Sequence, residues 1–345
     1  MSITIKEILS QPKTWQSVLD KKNTNIDNIR NDLIGKTNVF IGSGTSYYLS
    51  MSASNIFSKY TKQNAIAVPS AEVFLYPDII FPKTSNEYSS FLISRSGTTT
   101  EVLLAGDVVD KKMGIITSSV TCRKGSGLTN YGKYQFLLDE ADEKSVVMTR
   151  SFTSMLFQIQ LLADSISGGY NYKNLAMVPE FGDALVKQNQ SIVKDIINTN
   201  NIESFVFLGH GPLFGIANEA MLKVTEMSIS ISNEYHGLEF RHGPMSRVNE
   251  STLITFFIGN DTMEREKSLV NEMHALGAKT LVVCDKAVKE IRNTADYIIE
   301  LGTGMKNFEN LILHAPIAQY MGYYQALKKG LNPDTPQNLT QVVTL

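Results

Sequence analysis

Ser94-Arg95-Ser96-Gly97-Thr98-Thr99-Thr100 follows the apolar run Ser90-Phe91-Leu92-Ile93 and leads into a helix-like stretch over residues 101–109. A strand that ends in small hydroxyl residues and then opens a helix directs hydroxyls and unsatisfied backbone N–H groups at one spot, beside the positive end of the helix dipole. Such a loop can cradle a phosphate. No Gly-Lys-Ser/Thr follows the glycine, so a phosphorylated small molecule suits it better than a nucleoside triphosphate. An ordinary Ser/Thr-rich helix N-cap accounts for the same residues equally well.

A second chemically capable set lies between Leu213 and Ile231. Ile216, Ala220, Val224, Met227 and Ile231 trace one apolar helical face, while Glu219, Lys223 and Glu226 fall on the other at i, i+4 and i+7. Two carboxylates with a lysine between them suit proton transfer, although on spacing alone a solvated salt-bridge face is the commoner meaning. Residues 234–244, Glu-Tyr-His-Gly-Leu-Glu-Phe-Arg-His-Gly-Pro, read as a polar, ring-rich loop of the kind that carries function in a compact domain. His236 and His242 each have a plainer alternative as surface or interface hydrogen-bonders, the stronger alternative being that for His236. No His-x-His or His-x-x-x-His pair exists and His210, His274 and His314 are scattered, so no metal site is expected.

These residues need a scaffold, and strand-length apolar runs alternating with helix-length amphipathic segments indicate parallel βαβ units and an α/β fold. The pattern occurs twice. Residues 39–44 correspond to 206–211, 91–94 to 255–258, 114–117 to 281–284 and 135–138 to 297–300, all at offsets in the 160s. Four strands recurring in order imply two similar nucleotide-fold-like domains, each closed by a long apolar helix, from Ser151 to about Ser167 and from Phe308 to about Lys329. Gly42-Ser43-Gly44-Thr45-Ser46 ends the first strand, where open parallel sheets bind ligands, so Ser46 is expected to face the crevice of the 94–99 loop. The second repeat has Gly209-His210-Gly211 and Gly259-Asn260-Asp261 there without the hydroxyl run, so one phosphate site per chain is expected. The division indicated is 1–36, a helical extension containing Trp15, Val18 and Leu19; 37–175 and 176–330, the two repeats, parted near Gly168-Gly169 and Pro179; and 331–345, an extended tail.

The chain has 345 residues, 43% hydrophobic and 19% charged, enough for two cores, and its formal charge of −2 argues against nucleic acid or an anionic membrane as a partner. Cys122 and Cys284 offer neither zinc spacing nor a disulfide framework, which suits a reduced, cytoplasmic setting. No apolar stretch approaches the roughly 20 residues that span a bilayer, and the start lacks the layout of a signal peptide.

Gly-Ser-Gly-Thr-Ser at 42–46, Ser-Arg-Ser-Gly-Thr-Thr-Thr-Glu at 94–101, Val-Met-Thr-Arg-Ser-Phe-Thr at 147–153 and Glu-Phe-Arg-His-Gly-Pro at 239–244, on a two-repeat α/β layout, resemble the sugar isomerase (SIS) family. Within it the resemblance is to the isomerase half of glucosamine-6-phosphate synthases and to stand-alone glucosamine-6-phosphate deaminases, from about residue 37 onward. It implies two tandem, doubly wound, flavodoxin-like SIS domains. It also implies that Thr45, Ser46, Ser94, Arg95, Ser96 and Thr99 bind a sugar phosphate, with Val147, Thr340 and Gln341 completing the substrate site. Glu226 matches the family's proton-shuttling glutamate, with Lys223 and Glu219 beside it. His242 matches the histidine that assists ring opening in a neighbouring subunit's site, which implies a homodimer. No metal or organic cofactor is implied.

Two departures shape the expected reaction. Ser2 stands where the synthase's glutaminase domain has its catalytic cysteine, so ammonia from glutamine is not expected. Gln341 aligns with the synthase lysine that forms a Schiff base, and an amide nitrogen is no nucleophile toward a carbonyl. The expected activity is isomerising deamination of glucosamine 6-phosphate to fructose 6-phosphate and ammonia, reversible at high ammonia. The alternatives are a ketose/aldose phosphate isomerase, a fructosamine-phosphate deglycase, an aminating isomerase without its glutaminase, and a non-catalytic sugar-phosphate sensor.

Overall fold

The computed structural model of the protein describes residues 2–21 and 25–340, and these fall into two compact units. One comprises residues 13–21, 25–144 and 148–176 with Thr340; the other comprises residues 2–12, 145–147 and 177–339.

In the first-sheet unit, β1 (Thr37–Gly42), β2 (Ala65–Pro69), β3 (Tyr88–Ile93), β4 (Ile116–Thr121) and β5 (Tyr134–Leu137) form one parallel sheet in the order β2-β1-β3-β4-β5. Phe40 stands opposite Phe91 in the β1/β3 register, and their rings stack at 4.4 Å. Phe57 of the helix Thr45–Thr61 packs edge-on against both. Because side chains alternate along a strand, the neighbouring Val39, Ile41 and Leu92 face the other way, into a core with Val102, Ala105 and Val108. Trp15 is fully buried and donates its indole N–H to Thr153 Oγ1 at 2.8 Å, in the long helix Arg150–Ser167.

The second-sheet unit repeats the plan. β6 (Ser204–Gly209), β7 (Ile231–His236), β8 (Thr252–Ile258), β9 (Lys279–Cys284) and β10 (Tyr297–Glu300) run parallel in the order β10-β9-β8-β6-β7. Val206, Leu208, Ile254, Phe256 and Val282 share one face and pack with Leu269, Val270 and Met273 of the helix Met263–Ala275. The opposite face is covered by Pro212–Ser228, which packs on β6, β7 and β8, and by Ala315–Lys328, whose Met321 sulfur accepts the Thr255 hydroxyl at 3.8 Å.

Several expectations change. The third repeated strand is Ile116–Thr121, two residues later than the apolar run at 114–117 indicates; its Thr117 hydroxyl pairs with that of Ser90 at 2.8 Å, and its Thr121 hydroxyl donates to the Arg95 carbonyl at 3.2 Å. The edge strands β2 and β7 have mixed burial, and β7 has no apolar run to announce it. Ile231 does not continue the helical face: Ile229 turns into the left-handed region (φ 50°), ends the helix, and leaves Ile231 exposed at the start of β7. The described residues of the 2–36 segment divide between the two units. Ile3 and Thr4 donate their N–H groups to Asp334 at 2.8 Å each, which ties residues 2–12 to the tail through residue 339 within the second-sheet unit, while residues 13–21 and 25–36 belong with the first sheet. Among the described residues, no helix is long and apolar enough to cross a membrane.

Candidate active site

In a sheet ordered 2-1-3-4-5, the chain winds in opposite directions from β1 and β3, and a crevice opens between their carboxyl ends. The loops that flank it are 42–46 and 94–99. Gly42 is required there: a Cβ would stand 2.5 Å from the Ser46 carbonyl. Gly44, at φ 53°, ends the turn and leaves the following helix without a side-chain cap, so the positive end of that 17-residue dipole meets the crevice. Thr45 and Ser46, in its first turn, are buried. Across the crevice, Ser94 Oγ lies 3.1 Å from Thr99 Oγ1 and accepts the Gly97 N–H at 3.1 Å. Ser96 Oγ accepts the Thr98 N–H and hydroxyl at 3.2 Å each. Gly97, at φ 62°, is pressed against Ser126, which leaves no room for a side chain. Thr99 opens the next helix without a side-chain cap.

Arg95 is placed differently from its neighbours. Its buried guanidinium lies 3.7 Å from Glu143 Oε2, and Glu143 in turn accepts the N–H groups of Thr149 (2.6 Å) and Arg150 (2.8 Å) and the hydroxyls of Thr149 and Ser151. Glu143 thereby caps the helix Arg150–Ser167, and Arg95 pairs with that cap.

The equivalent crevice of the second sheet, between β6 and β8, is filled. Phe308 packs so closely that a Cβ on Gly259 would stand 2.9 Å from its ring, and the space among Leu213, Asn260, Phe308 and His314 is about 10 Å³.

Glu219, Lys223 and Glu226 do share one stripe of the helix Pro212–Ser228, but the stripe is not solvated. Lys223 is 0% exposed and Glu219 1%, with only Glu226 partly open. The Lys223 ammonium donates to Glu226 Oε2 at 2.6 Å and lies 3.5 Å from Glu219 Oε1. The covering element is Ala315–Lys328. Its Gly322 allows the two backbones to touch at the Lys223 turn, where a Cβ would stand 2.5 Å from the Lys223 carbonyl oxygen. A lysine excluded from water between two carboxylates fixes the position of both and offsets their charge, leaving one carboxylate at the surface to exchange a proton.

β7 extends through His236, so residues 234–236 are strand and the loop begins at Gly237. His236 stacks on Phe214 at 3.7 Å, and burial lowers its pKa below the ordinary value. Phe240 inserts into the core on the side of Met263–Ala275, and Arg241 grips Glu272 of that helix at 2.7 and 2.8 Å. His242, next in sequence, is exposed. Glu226 and His242 therefore lie on opposite faces of the second sheet. His314 is a core residue, with Nδ1 3.1 Å from the Leu311 carbonyl and its pKa pushed down by burial to about 4. Among the described residues, no group of three or more His, Cys, Asp or Glu is arranged to hold a metal ion.

A solved glucosamine-6-phosphate deaminase from Thermotoga maritima is 30% identical, with all of each chain covered and a TM-score of 0.83. This chain belongs to the sugar isomerase family. The SIS domain model matches residues 200–329. The SIS fold is shared with a tagatose-6-phosphate ketose/aldose isomerase from Escherichia coli, 22% identical with a TM-score of 0.83 over 98% of this chain and 96% of the other. A glutamine–fructose-6-phosphate aminotransferase from Pyrobaculum aerophilum is 27% identical over 99% of this chain and 57% of its own length. The chain thus spans somewhat more than half the length of the curated relatives it matches.

Of the remaining expected SIS substrate residues, Val147 is buried, with its carbonyl accepting the Ser145 hydroxyl at 2.8 Å. Thr340 is exposed, and Gln341 lies outside the described residues. Gly322, Glu143 and His210 escape a reading by motif. Only His210 left a signal, since it stands in the second Gly-x-Gly turn where Ser43 stands in the first.

Proposed function

We propose that this chain is an isomerising glucosamine-6-phosphate deaminase, which converts glucosamine 6-phosphate and water into fructose 6-phosphate and ammonia. The buried Glu219, Lys223, Glu226 stripe carries this reading, because enolisation of a sugar needs one base that removes a proton from a carbon and returns it to its neighbour. The hydroxyls of Ser94, Ser96 and Thr99, with the helix starting at Thr45, receive the phosphate. His242 opens the ring by passing a proton to the ring oxygen, as a histidine near neutral pH can. Glu226 takes the C2 proton of the open-chain aldose and returns it to C1 while O1 gains a proton, which leaves an imine at C2. Water adds to that imine and ammonia departs, giving the ketose. Lys223 holds Glu226 in place throughout.

In a single chain the second sheet stands between Glu226 and His242, which supports a homodimer in which each site takes His242 from the other copy. Incubation with glucosamine 6-phosphate, and with fructose 6-phosphate with and without ammonium, while both sugar and ammonia are assayed, tests the reading. Ammonia released in step with fructose 6-phosphate is expected. Aldose–ketose interconversion without nitrogen release would make the enzyme a plain phosphosugar isomerase, and no turnover of either sugar would remove both readings.

A further inference from the structure

The Gly-x-Gly turn after β1 carries Ser43, whose hydroxyl meets that of Ser70. The matching turn after β6 carries His210, and its imidazole serves the loop that leads to His242. His210 Nε2 accepts the Leu238 N–H at 3.1 Å, at the first residue of the 3-10 turn Leu238–Arg241. Accepting through Nε2 requires a neutral ring with its proton on Nδ1. Gly237, at the root of the loop, fits between two side chains: a Cβ there would stand 3.0 Å from His210 Nε2 and 3.1 Å from Glu266 Oε2. The His236 ring, 5.8 Å from that of His210, closes the third side. The loop therefore leaves the sheet through a notch shaped by His210, Glu266 and His236. Phe240 and Arg241 anchor its middle, and His242 follows at the surface with no side-chain hydrogen bond among the described residues to hold it.

We propose that His210 is a positioning residue for His242, its Nε2 fixing the course of the loop that carries His242 into the site of a second copy of this chain. The proposal rests on the two-copy site put forward above. The charged and titratable groups that face His210 are His236 on β7, Glu239 in the loop and Glu266 on Met263–Ala275. Burial, and then His236, lower the His210 pKa against an opposing pull from Glu239, so the ring stays an acceptor at neutral pH and the anchor is lost only on acidification.

The test uses full-length His210→Ala and His210→Gln, checked for folding by circular dichroism, assayed alone and after subunit exchange with Glu226→Gln or His242→Ala. His210→Ala should keep its KM within about twofold and lose kcat about tenfold, the worth of one hydrogen bond, while Gln, whose Oε1 can accept the same N–H, recovers most of it. Mixed with Glu226→Gln, His210→Ala should climb toward roughly a quarter of wild-type activity, because half the dimers then hold one intact site; mixed with His242→Ala it should not. The Glu226→Gln and His242→Ala pair judges the underlying reading separately, and no rescue there overturns the two-copy site and this proposal with it. Rescue there without rescue of His210→Ala by Glu226→Gln, or full activity of His210→Ala alone, overturns the role of His210 only. Should the alanine variant fail to fold, the Gln variant decides: its kcat should persist to lower pH than the parent's, and an unchanged acid limb refutes the proposal.

Discussion

Gly322→Ala tests whether the contact between two helices sets the position of the proton-transfer group. The added Cβ would stand 2.5 Å from the Lys223 carbonyl oxygen, 2.9 Å from the carbonyl carbon and 2.8 Å from Met227 Cε. Unstrained contacts lie at roughly 3.5 Å, so the helices Pro212–Ser228 and Ala315–Lys328 must part by about 1 Å at the Lys223 turn. Overpacking of this kind costs about 1–3 kcal/mol, and at about 2–4 °C per kcal/mol the melting temperature should fall by roughly 2–12 °C. Activity should suffer more than stability. The Lys223 ammonium holds Glu226 at 2.6 Å, and a 1 Å misplacement of a reacting group is worth about a hundredfold in rate, or about 2.7 kcal/mol of transition-state stabilisation. Calorimetry beside kcat and KM on the sugar phosphate separates the two effects, with KM expected to stay near wild type because the proposed phosphate loops lie on the other sheet. Met227→Ala should not rescue the variant, since the clash with the backbone carbonyl remains. Wild-type kcat with an unchanged melting temperature would refute the reasoning.

Glu226→Gln should bind substrate normally and turn over about a hundredfold or more slowly, because an amide cannot accept the carbon-bound proton; near wild-type kcat removes Glu226 from the chemistry. Ser96→Ala and Thr99→Ala should each raise KM for the phosphorylated sugar about ten- to a hundredfold, the loss of one hydroxyl donor to a charged acceptor, and equal turnover of unphosphorylated glucosamine by the parent would contradict the cradle. Glu266 is fully buried, and burial lifts its carboxyl from 4.5 to about 7. Its proton is held more tightly in the folded state, so stability is fully present below pH 4.5 and is lost as pH rises through about 7, by about 3 kcal/mol in all. In urea titrations Glu266→Gln should flatten that fall; parallel curves from pH 5 to 8 would count against it.

The repeat was legible because central parallel strands are buried on both faces and so read as apolar runs, as at 39–42 and 253–258. The same rule misplaced β4, where Ser118 and Ser119 sit buried within the sheet, and hid the edge strand β7, which is only half covered and largely polar. The candidate phosphate loop was legible since turn, hydroxyls and helix start are contiguous in the chain. The Glu219, Lys223, Glu226 stripe was legible in its spacing but not in its environment. Its burial comes from Gly322, about a hundred residues away, and no local pattern reports that distance. The anchoring of the His242 loop by His210 is likewise a contact across 28 residues, set by where two strand ends meet.

Arg150–Ser167 is an 18-residue helix whose amino end would compete for any small anion. Glu143 supplies that anion from within the chain, with Arg95 balancing its charge. The unit thus carries a permanent internal occupant at one attractive position and leaves the crevice between β1 and β3 as the place proposed for an incoming phosphate. On the proposed reading, selectivity comes from pre-emption as much as from recognition. The same arrangement means that inorganic phosphate or sulfate should act on the enzyme through one competitive site, with no second, non-competitive component from the start of this helix.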